Sequence, residues 1–116
     1  MRRALAVACC ALSACGAEVP PAPGGDPERG RLLLRQFGCG TCHRIPGVAA
    51  ARGGVGPPLD GVARRVYLAG ALPNTPDNMA RWIRDPQALD PQTAMPDMQV
   101  GEIHARDMVA YLATLR

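Results

Sequence analysis

The residues most able to do chemistry are five consecutive ones, Cys39-Gly40-Thr41-Cys42-His43. Two cysteines separated by two residues and followed directly by histidine are the pattern of covalent c-type haem attachment. The spacing suits that chemistry, because the two thiols reach the two vinyl groups on one haem edge and the adjacent His then lies under the iron. The motif therefore predicts one haem c per chain, attached through Cys39 and Cys42, with His43 as an iron ligand.

A C-x-x-C pair has three other interpretations. A thioredoxin-like dithiol requires a strand before the motif, whereas the residues ahead of Cys39 have helical spacing. A zinc site requires four nitrogen or sulfur ligands, and beyond the motif only His104 is left to complete it. A structural disulfide would not require His43. Haem attachment is therefore the favoured interpretation of the motif.

The motif must be positioned by the segment that precedes it. Asp26 is a good helix N-cap, Pro27 suits the first helical position and Gly38 suits the residue that ends the helix. Gly30 lies inside this predicted helix, where it costs about 1 kcal/mol relative to Ala. A glycine in that position indicates a close crossing with a second helix.

The partner predicted for that crossing is the C-terminal segment. It carries apolar residues at helical intervals, among them Ile103, Met108 and Leu112. Between the two terminal helices, Thr75-Pro76-Asp77 predicts the start of a further helix, and Asp85-Pro86 predicts its end.

A second iron ligand has to come from the residues after that helix. Met95 lies on a loop between Pro91 and Pro96, which can present a thioether at a fixed height, and it is the favoured candidate. Met98 on the same loop is the alternative. The methionines on helices are more often core residues, and His104 in the first turn of the last helix is expected to face solvent.

The pattern of the N-terminal residues predicts an export signal. Arg2 and Arg3 precede a short apolar run, and Leu12-Ser13-Ala14-Cys15 resembles the lipobox of bacterial lipoproteins, in which the cysteine is acylated after cleavage. We predict a signal peptide at 1–14, lipidation at Cys15, a Pro/Gly-rich tether at 15–25 and a folded domain at 26–116. The alternative is an ordinary signal peptide with an incidental cysteine.

Composition limits the rest. The chain has 116 residues, a formal net charge of +3 and four aromatic side chains, which allows a single small domain. All its basic charge outside histidine is arginine, and no long basic block or aromatic-interleaved stripe is present, so no nucleic-acid partner is expected. A monomer is the expected state.

Taken together, the chain resembles class I c-type cytochromes over 26–116. The resemblance rests on Gly30, the C-x-x-C-H motif, Gly56-Pro57-Pro58-Leu59, Trp82, Thr93-Ala94-Met95-Pro96 and Tyr111. Residues 72–78 and 82–87 are similar to the cytochrome c domain of subunit II of bacterial haem-copper oxidases, here as a stand-alone lipoprotein. The resemblance implies an all-α class I cytochrome c fold. Its N- and C-terminal helices cross, and one or two shorter helices and loops surround one covalent haem.

The resemblance also implies roles for individual residues. His43 and Met95 would be the axial iron ligands, and the Pro57 carbonyl would accept the other ring N–H of His43. Arg65 would bind a haem propionate. Tyr67 and Trp82 would be neighbours of the haem.

Function follows from this coordination. Two axial protein ligands leave no open position for a substrate, so we expect an electron carrier and no enzyme. The expected protein is periplasmic and lipid-anchored through Cys15, and delivers single electrons to a terminal oxidase or a similar respiratory acceptor. The alternatives are a haem enzyme or gas sensor with a labile distal ligand, and a haem-free thiol-disulfide lipoprotein.

Overall fold

The computed structural model describes residues 24–116. The predicted signal peptide, Cys15 and most of the predicted tether lie outside this range. The regular structure of the described residues consists of α1 Pro27–Gln36, β1 Tyr67–Leu68, β2 Leu72–Pro73, α2 Pro76–Arg84, α3 Pro86–Leu89 and α4 Glu102–Leu112. β1 and β2 form a small antiparallel hairpin. The all-α expectation is confirmed, with α2 and α3 as the shorter helices.

Helix α1 begins and ends where the sequence predicts. The side chain of Asp26 accepts a hydrogen bond from the backbone N–H of Arg29 at 3.0 Å, and Pro27 takes the first helical position. After Phe37, Gly38 adopts a left-handed conformation with φ of 71°. Because glycine has no Cβ, this conformation carries little penalty there, and the chain turns directly into the C-x-x-C-H motif.

The two terminal helices cross at Gly30. A Cβ atom at this position would overlap the backbone carbonyl oxygen of Asp107 on α4. The same is true of Gly25, whose Cβ would overlap the carbonyl of Arg106, so the last residues of the predicted tether already pack against α4. The close crossing predicted from Gly30 is present, and the cost of a helical glycine is offset by this approach.

Helix α4 buries one face only. Ala105, Met108, Val109 and Leu112 are buried, whereas Ile103 is 72% exposed. The expectation that Ile103 contributes to the apolar face is therefore wrong. Ile103 precedes Leu112 by nine residues, and at about 100° per residue this separation puts the two on opposite sides of the helix.

Helices α2 and α3 are separated by the dipeptide that predicted the end of α2. Thr75 caps α2 by accepting from the backbone N–H of Asn78 at 3.2 Å, and α2 ends at Arg84. Pro86 then takes the first position of α3, and Asp85 caps α3 by accepting from the N–H of Ala88 at 3.0 Å. Asp85-Pro86 thus ends one helix and begins another.

The core lies between α1, α2 and α4 and extends into the loops. Met79 and Met108 belong to it, as expected for methionines on helix faces. The buried apolar side chains are Leu33, Leu34, Ile45, Val48, Ala51, Val62, Leu68, Met79, Ala80, Ile83, Val100, Ala105, Met108, Val109 and Leu112. None of the four aromatic residues is among them, although Phe37 and Tyr111 are partly buried and pack against this core.

One charged side chain is buried at the helix crossing. Asp107 is 1% exposed; it accepts hydrogen bonds from the guanidinium of Arg29, with Nη2 at 2.9 Å, and from the backbone N–H of Asp26 at 2.8 Å. These contacts hold the pKa of the Asp107 carboxyl below its ordinary value, chiefly through the hydrogen bonds from Arg29. The carboxylate therefore ties the start of α1 to the middle of α4.

We expect Asp107→Asn to lower the free energy of unfolding by about 2 kcal/mol at neutral pH, because the charge-assisted hydrogen bonds with Arg29 are lost. The pKa of Asp107 is lower in the folded state than in the unfolded state. The difference in free energy of unfolding between wild type and Asp107→Asn is therefore fully present above the unfolded pKa of about 3.9, and it is lost as the pH falls through the folded pKa. Guanidinium denaturation followed by far-UV circular dichroism should therefore show a difference that shrinks below about pH 4.

Glu102→Gln is the matched control. Glu102 lies on the same helix, but it is exposed and pairs with Arg106 at 3.0 Å, so its replacement should leave the free energy of unfolding nearly unchanged. A loss for Asp107→Asn that is as small as that of the control, or that does not depend on pH, would contradict the buried ion pair.

Candidate haem-attachment site

The C-x-x-C-H motif lies on a single turn immediately after α1. Cys39–Thr41 form a 3₁₀ turn, and the backbone N–H of His43 donates to the carbonyl of Cys39 at 3.0 Å. Both cysteines are free thiols, and Cys39, Cys42 and His43 are each half-buried. The turn therefore keeps three reactive side chains together and partly accessible.

The back of this turn is closed by the chain that follows it. The N–H of Gly53 donates to the carbonyl of Gly40 at 3.0 Å, and the N–H of Gly56 donates to the carbonyl of Cys42 at 2.8 Å. A Cβ at Gly40 would lie 2.6 Å from the Cα of Ala51, so glycine is needed where the two segments meet. The motif is thus held by backbone contacts on one side.

The His43 ring is fixed by Pro57. Its Nδ1 lies 2.7 Å from the Pro57 carbonyl oxygen, the contact that the family resemblance implies. A carbonyl can only accept, so Nδ1 must carry the proton, and in a neutral ring the lone pair then lies on Nε2. This is the tautomer that a histidine requires to bind a metal through Nε2.

The absence of a side chain at Gly56 leaves room for the His43 ring. An added Cβ at Gly56 would lie 2.7 Å from Nδ1 of His43 and 2.9 Å from Nε2. Gly54, two residues earlier, has nothing within 4 Å of the corresponding position. The ring of His43 therefore rests against the backbone of Gly56, and this part of the Gly-rich loop is shaped around it.

Met95 lies on a separate segment with its own support. Its backbone N–H donates to the hydroxyl of Thr93 at 3.2 Å, and its carbonyl accepts from Nε2 of Gln87 at 2.7 Å. The residue is half-buried, whereas the alternative ligand Met98 is 41% exposed. The better fixed of the two loop methionines is Met95.

Comparison with known proteins identifies the family. The cytochrome c family model matches residues 27–116. The chain belongs to the cytochrome c family. It is 34% identical over 113 residues to cytochrome c2 of Rhodopila globiformis, an alignment that covers 82% of this chain and 98% of the relative.

A second relative is the cytochrome c oxidase subunit 2 of Alkalihalophilus pseudofirmus, 34% identical over 92 residues. The alignment covers 77% of this chain and 25% of that subunit, so the chain spans about a quarter of that relative. Both comparisons confirm the resemblance to class I c-type cytochromes. The chain is accordingly a haem-containing electron carrier rather than an enzyme.

The motif residues fit the haem c that the family implies. Two free thiols and a His43 ring with its lone pair on Nε2 are the donor set that two thioether bonds and one iron bond require.

A helix of the length and apolar character needed to cross a membrane does not occur within residues 24–116.

The other interpretations of the cysteine pair lack support in this cytochrome. Helix α1 precedes the motif where a thioredoxin-like site has a strand, and burial raises the pKa of the Cys39 thiol, whereas reactive dithiols have a lowered pKa. Among residues 24–116, no three His, Cys, Asp or Glu side chains are grouped to bind a metal ion. His104, the residue a zinc site would need, is exposed as expected and packs edge-on against Phe37 at 5.9 Å between ring centroids.

The other three residues that are predicted to lie near the haem, Arg65, Tyr67 and Trp82, differ in their contacts and their exposure. The guanidinium of Arg65 donates to the carbonyl of Pro58, next to the carbonyl that fixes His43. Tyr67 on β1 is 58% exposed, and Trp82 on α2 is half-buried. Hydrogen bonds connect Cys39, His43 and Pro57 directly, and Arg65 binds the adjoining Pro58 carbonyl. Among the described residues, no side-chain hydrogen bond joins Met95, Tyr67 or Trp82 to any of these four.

The supporting contacts of three residues were not predicted, although Tyr111 and Gln87 are among the residues that carry the family resemblance. Gln87 holds the Met95 carbonyl, and Tyr111 donates from its hydroxyl to the carbonyl of Pro46 at 2.6 Å. The side-chain amide of Asn74 donates to the carbonyls of Val62 and Arg65, at 3.0 and 2.8 Å. All three are polar side chains that bind backbone carbonyls, and nothing in the local sequence distinguishes them from exposed polar residues.

We expect Gly56→Ala to displace the His43 ring and to break its hydrogen bond to Pro57, because the added methyl would overlap the ring. The exchange of the His43 Nδ1 proton with solvent, measured by NMR on the reduced holoprotein, should become about fivefold faster, the change expected when a bond worth about 1 kcal/mol is lost.

Gly54→Ala is the matched control, since the same methyl meets open space two residues away. It should leave the exchange rate unchanged. Equal rates in wild type and Gly56→Ala would contradict the packing of the ring against Gly56.

Proposed function

We propose that the chain is a periplasmic, membrane-tethered one-electron carrier that delivers electrons to a terminal oxidase or a similar respiratory acceptor. One haem c would be attached through Cys39 and Cys42, with His43 and Met95 as the axial ligands. The observation that supports this most strongly is the hydrogen bond between Nδ1 of His43 and the Pro57 carbonyl, because it leaves the Nε2 lone pair for iron.

The haem would supply an iron that takes up and releases one electron, with a potential raised by Met/His ligation. The chain's own contribution is to fix both ligands. Pro57 keeps the His43 ring in one tautomer and makes it more basic. Met95 would occupy the last axial position, which leaves no place for oxygen or peroxide and favours a carrier over the alternative of a haem enzyme or gas sensor.

Arginines near the motif support docking on an acidic partner. Arg44 follows His43 directly and pairs through a β-bridge with Arg52, and both are exposed. Arg44 also pairs with Asp60 at 3.0 Å, while Arg64 is exposed on the following turn. Positive charge beside the haem edge would steer association with an acidic surface.

The similarity to a cytochrome c oxidase subunit 2 supports an oxidase as the acceptor. In that relative the matched region is one part of a longer protein. In our proposal the corresponding domain is held at the membrane by a lipid on Cys15, with residues 15–25 as a tether of about 3 Å per residue where extended. A monomer suits this role, since one face must remain open for donor and acceptor in turn.

Met95→Ala should abolish the methionine-to-iron charge-transfer band of the oxidised holoprotein, whereas Met98→Ala should keep it. The reason is that the backbone of Met95 is held on both sides and Met98 is exposed. Absorbance spectra of protein made with a cytochrome c maturation system measure this directly.

Each other outcome has a defined meaning for the proposal. Loss of the band in Met98→Ala instead of Met95→Ala would overturn the ligand assignment. A high-spin wild-type spectrum would favour the haem enzyme or gas sensor. A denatured protein without covalent haem would overturn both haem functions and leave the thiol-disulfide lipoprotein.

Cys15→Ala should release the protein from membranes, because the acylation site would be lost. Cell fractionation of the full-length chain followed by immunoblotting measures the bound fraction. Cys10→Ala is the control, since Cys10 lies inside the predicted signal peptide, and membrane retention should persist. Retention of both variants would contradict the lipid anchor.

A further inference from the structure

We propose that Gln87 is the positioning residue for the distal ligand, acting through the carbonyl of Met95 to keep the thioether at the iron. This rests on the proposed function, in which Met95 is that ligand. The direct observation is the hydrogen bond from Nε2 of Gln87 to the Met95 carbonyl, which is partly buried and 2.7 Å long.

Gln87 projects from a fixed base. It lies on α3, between Pro86, whose side chain is fully buried, and Ala88, whose N–H is held by Asp85 at 3.0 Å. The backbone of Gln87 is therefore anchored by packing on one side and by a helix cap on the other. Its own side chain is half-buried, which limits the rotamers that it can adopt.

The loop that carries Met95 has few other anchors. Thr93 holds the Met95 N–H from within the loop, and the remaining hydrogen bonds of this segment are local ones made by Asp90 and Asp97. Among the hydrogen bonds of the described residues, that of Gln87 is the one that joins loop 91–99 to a helix. The buried side chain at Val100 is the next fixed point along the chain.

The two ligands thus depend on different kinds of support. His43 is adjacent to a turn whose backbone is closed by several hydrogen bonds, whereas Met95 depends on a single side-chain amide from another element. Without the Gln87 donor, the Met95 carbonyl would accept a hydrogen bond from water. The loop would then sample conformations in which the thioether is away from the iron. An added ligand would then replace Met95 more easily.

The test is an imidazole titration of the oxidised, haem-loaded full-length protein, followed by loss of the methionine charge-transfer band. For Gln87→Leu, we expect the apparent dissociation constant of imidazole to fall roughly three- to tenfold, since one hydrogen bond no longer holds the loop. Gln87→Glu should behave like Gln87→Leu at neutral pH, because a carboxylate cannot donate to a carbonyl. When each dissociation constant is referred to the concentration of neutral imidazole, Gln87→Glu should approach wild type at low pH, where a protonated Glu can donate.

Two controls separate positioning from stability. Gln92→Leu removes an exposed glutamine in the same loop whose side chain makes none of the hydrogen bonds of the described residues, and it should leave imidazole binding unchanged. Val109→Ala removes a buried core group on α4 and should lower the denaturation midpoint without changing imidazole binding.

The outcomes distinguish this inference from the proposed function. If the wild type lacks the methionine band, or keeps it in Met95→Ala, the ligand assignment fails. If the band depends on Met95 but Gln87→Leu binds imidazole like the wild type, the role of Gln87 alone is refuted. A Val109→Ala variant that binds imidazole as tightly as Gln87→Leu would also refute it, since general instability would then explain the effect.

Discussion

The close crossing of α1 and α4 at Gly30 is the constraint on which the rest of the structure depends. Backbone-to-backbone contact at this point admits no Cβ, and the buried carboxylate of Asp107 ties the start of α1 to the same place. Because α1 ends at Gln36 and the chain turns at Gly38, the position of the crossing also determines where Cys39 lies. A displacement of α1 at Gly30 by the thickness of one side chain would also displace the turn Cys39–Thr41, the attachment turn.

The attachment turn converts this helix position into a chemically defined site. Backbone hydrogen bonds from Gly53 and Gly56 close one side of the turn, and the carbonyl of Pro57 then sets the His43 tautomer. Proline suits this position, since its ring restricts the backbone that carries the carbonyl. The ligand orientation therefore comes from backbone atoms whose places are set by glycine and proline, rather than from a network of polar side chains.

Local signals in the sequence predicted a large part of this arrangement. Asp26-Pro27 and Gly38 mark the ends of α1 because capping depends on adjacent residues, and the C-x-x-C-H spacing is itself local chemistry. The Arg29–Asp107 pair could not be predicted, since its partners are 78 positions apart and each resembles an ordinary surface residue. The exposure of Ile103 depends on its helix face, which its hydrophobic residue type alone does not indicate.

Met95, the distal ligand in our proposal, shows why a second ligand is harder to predict than the first. His43 is adjacent to Cys42 and belongs to the same sequence motif. A distal methionine lies far from that motif in the sequence, and the chain contains several candidate methionines. What distinguishes Met95 from Met98 is its two backbone contacts, to Thr93 and Gln87, and the second comes from another element. A ligand held by a helix-borne amide can be weakened without disturbing the crossing at Gly30 or the attachment turn. In our proposal, covalent attachment of the haem and retention of the distal ligand are therefore separable properties.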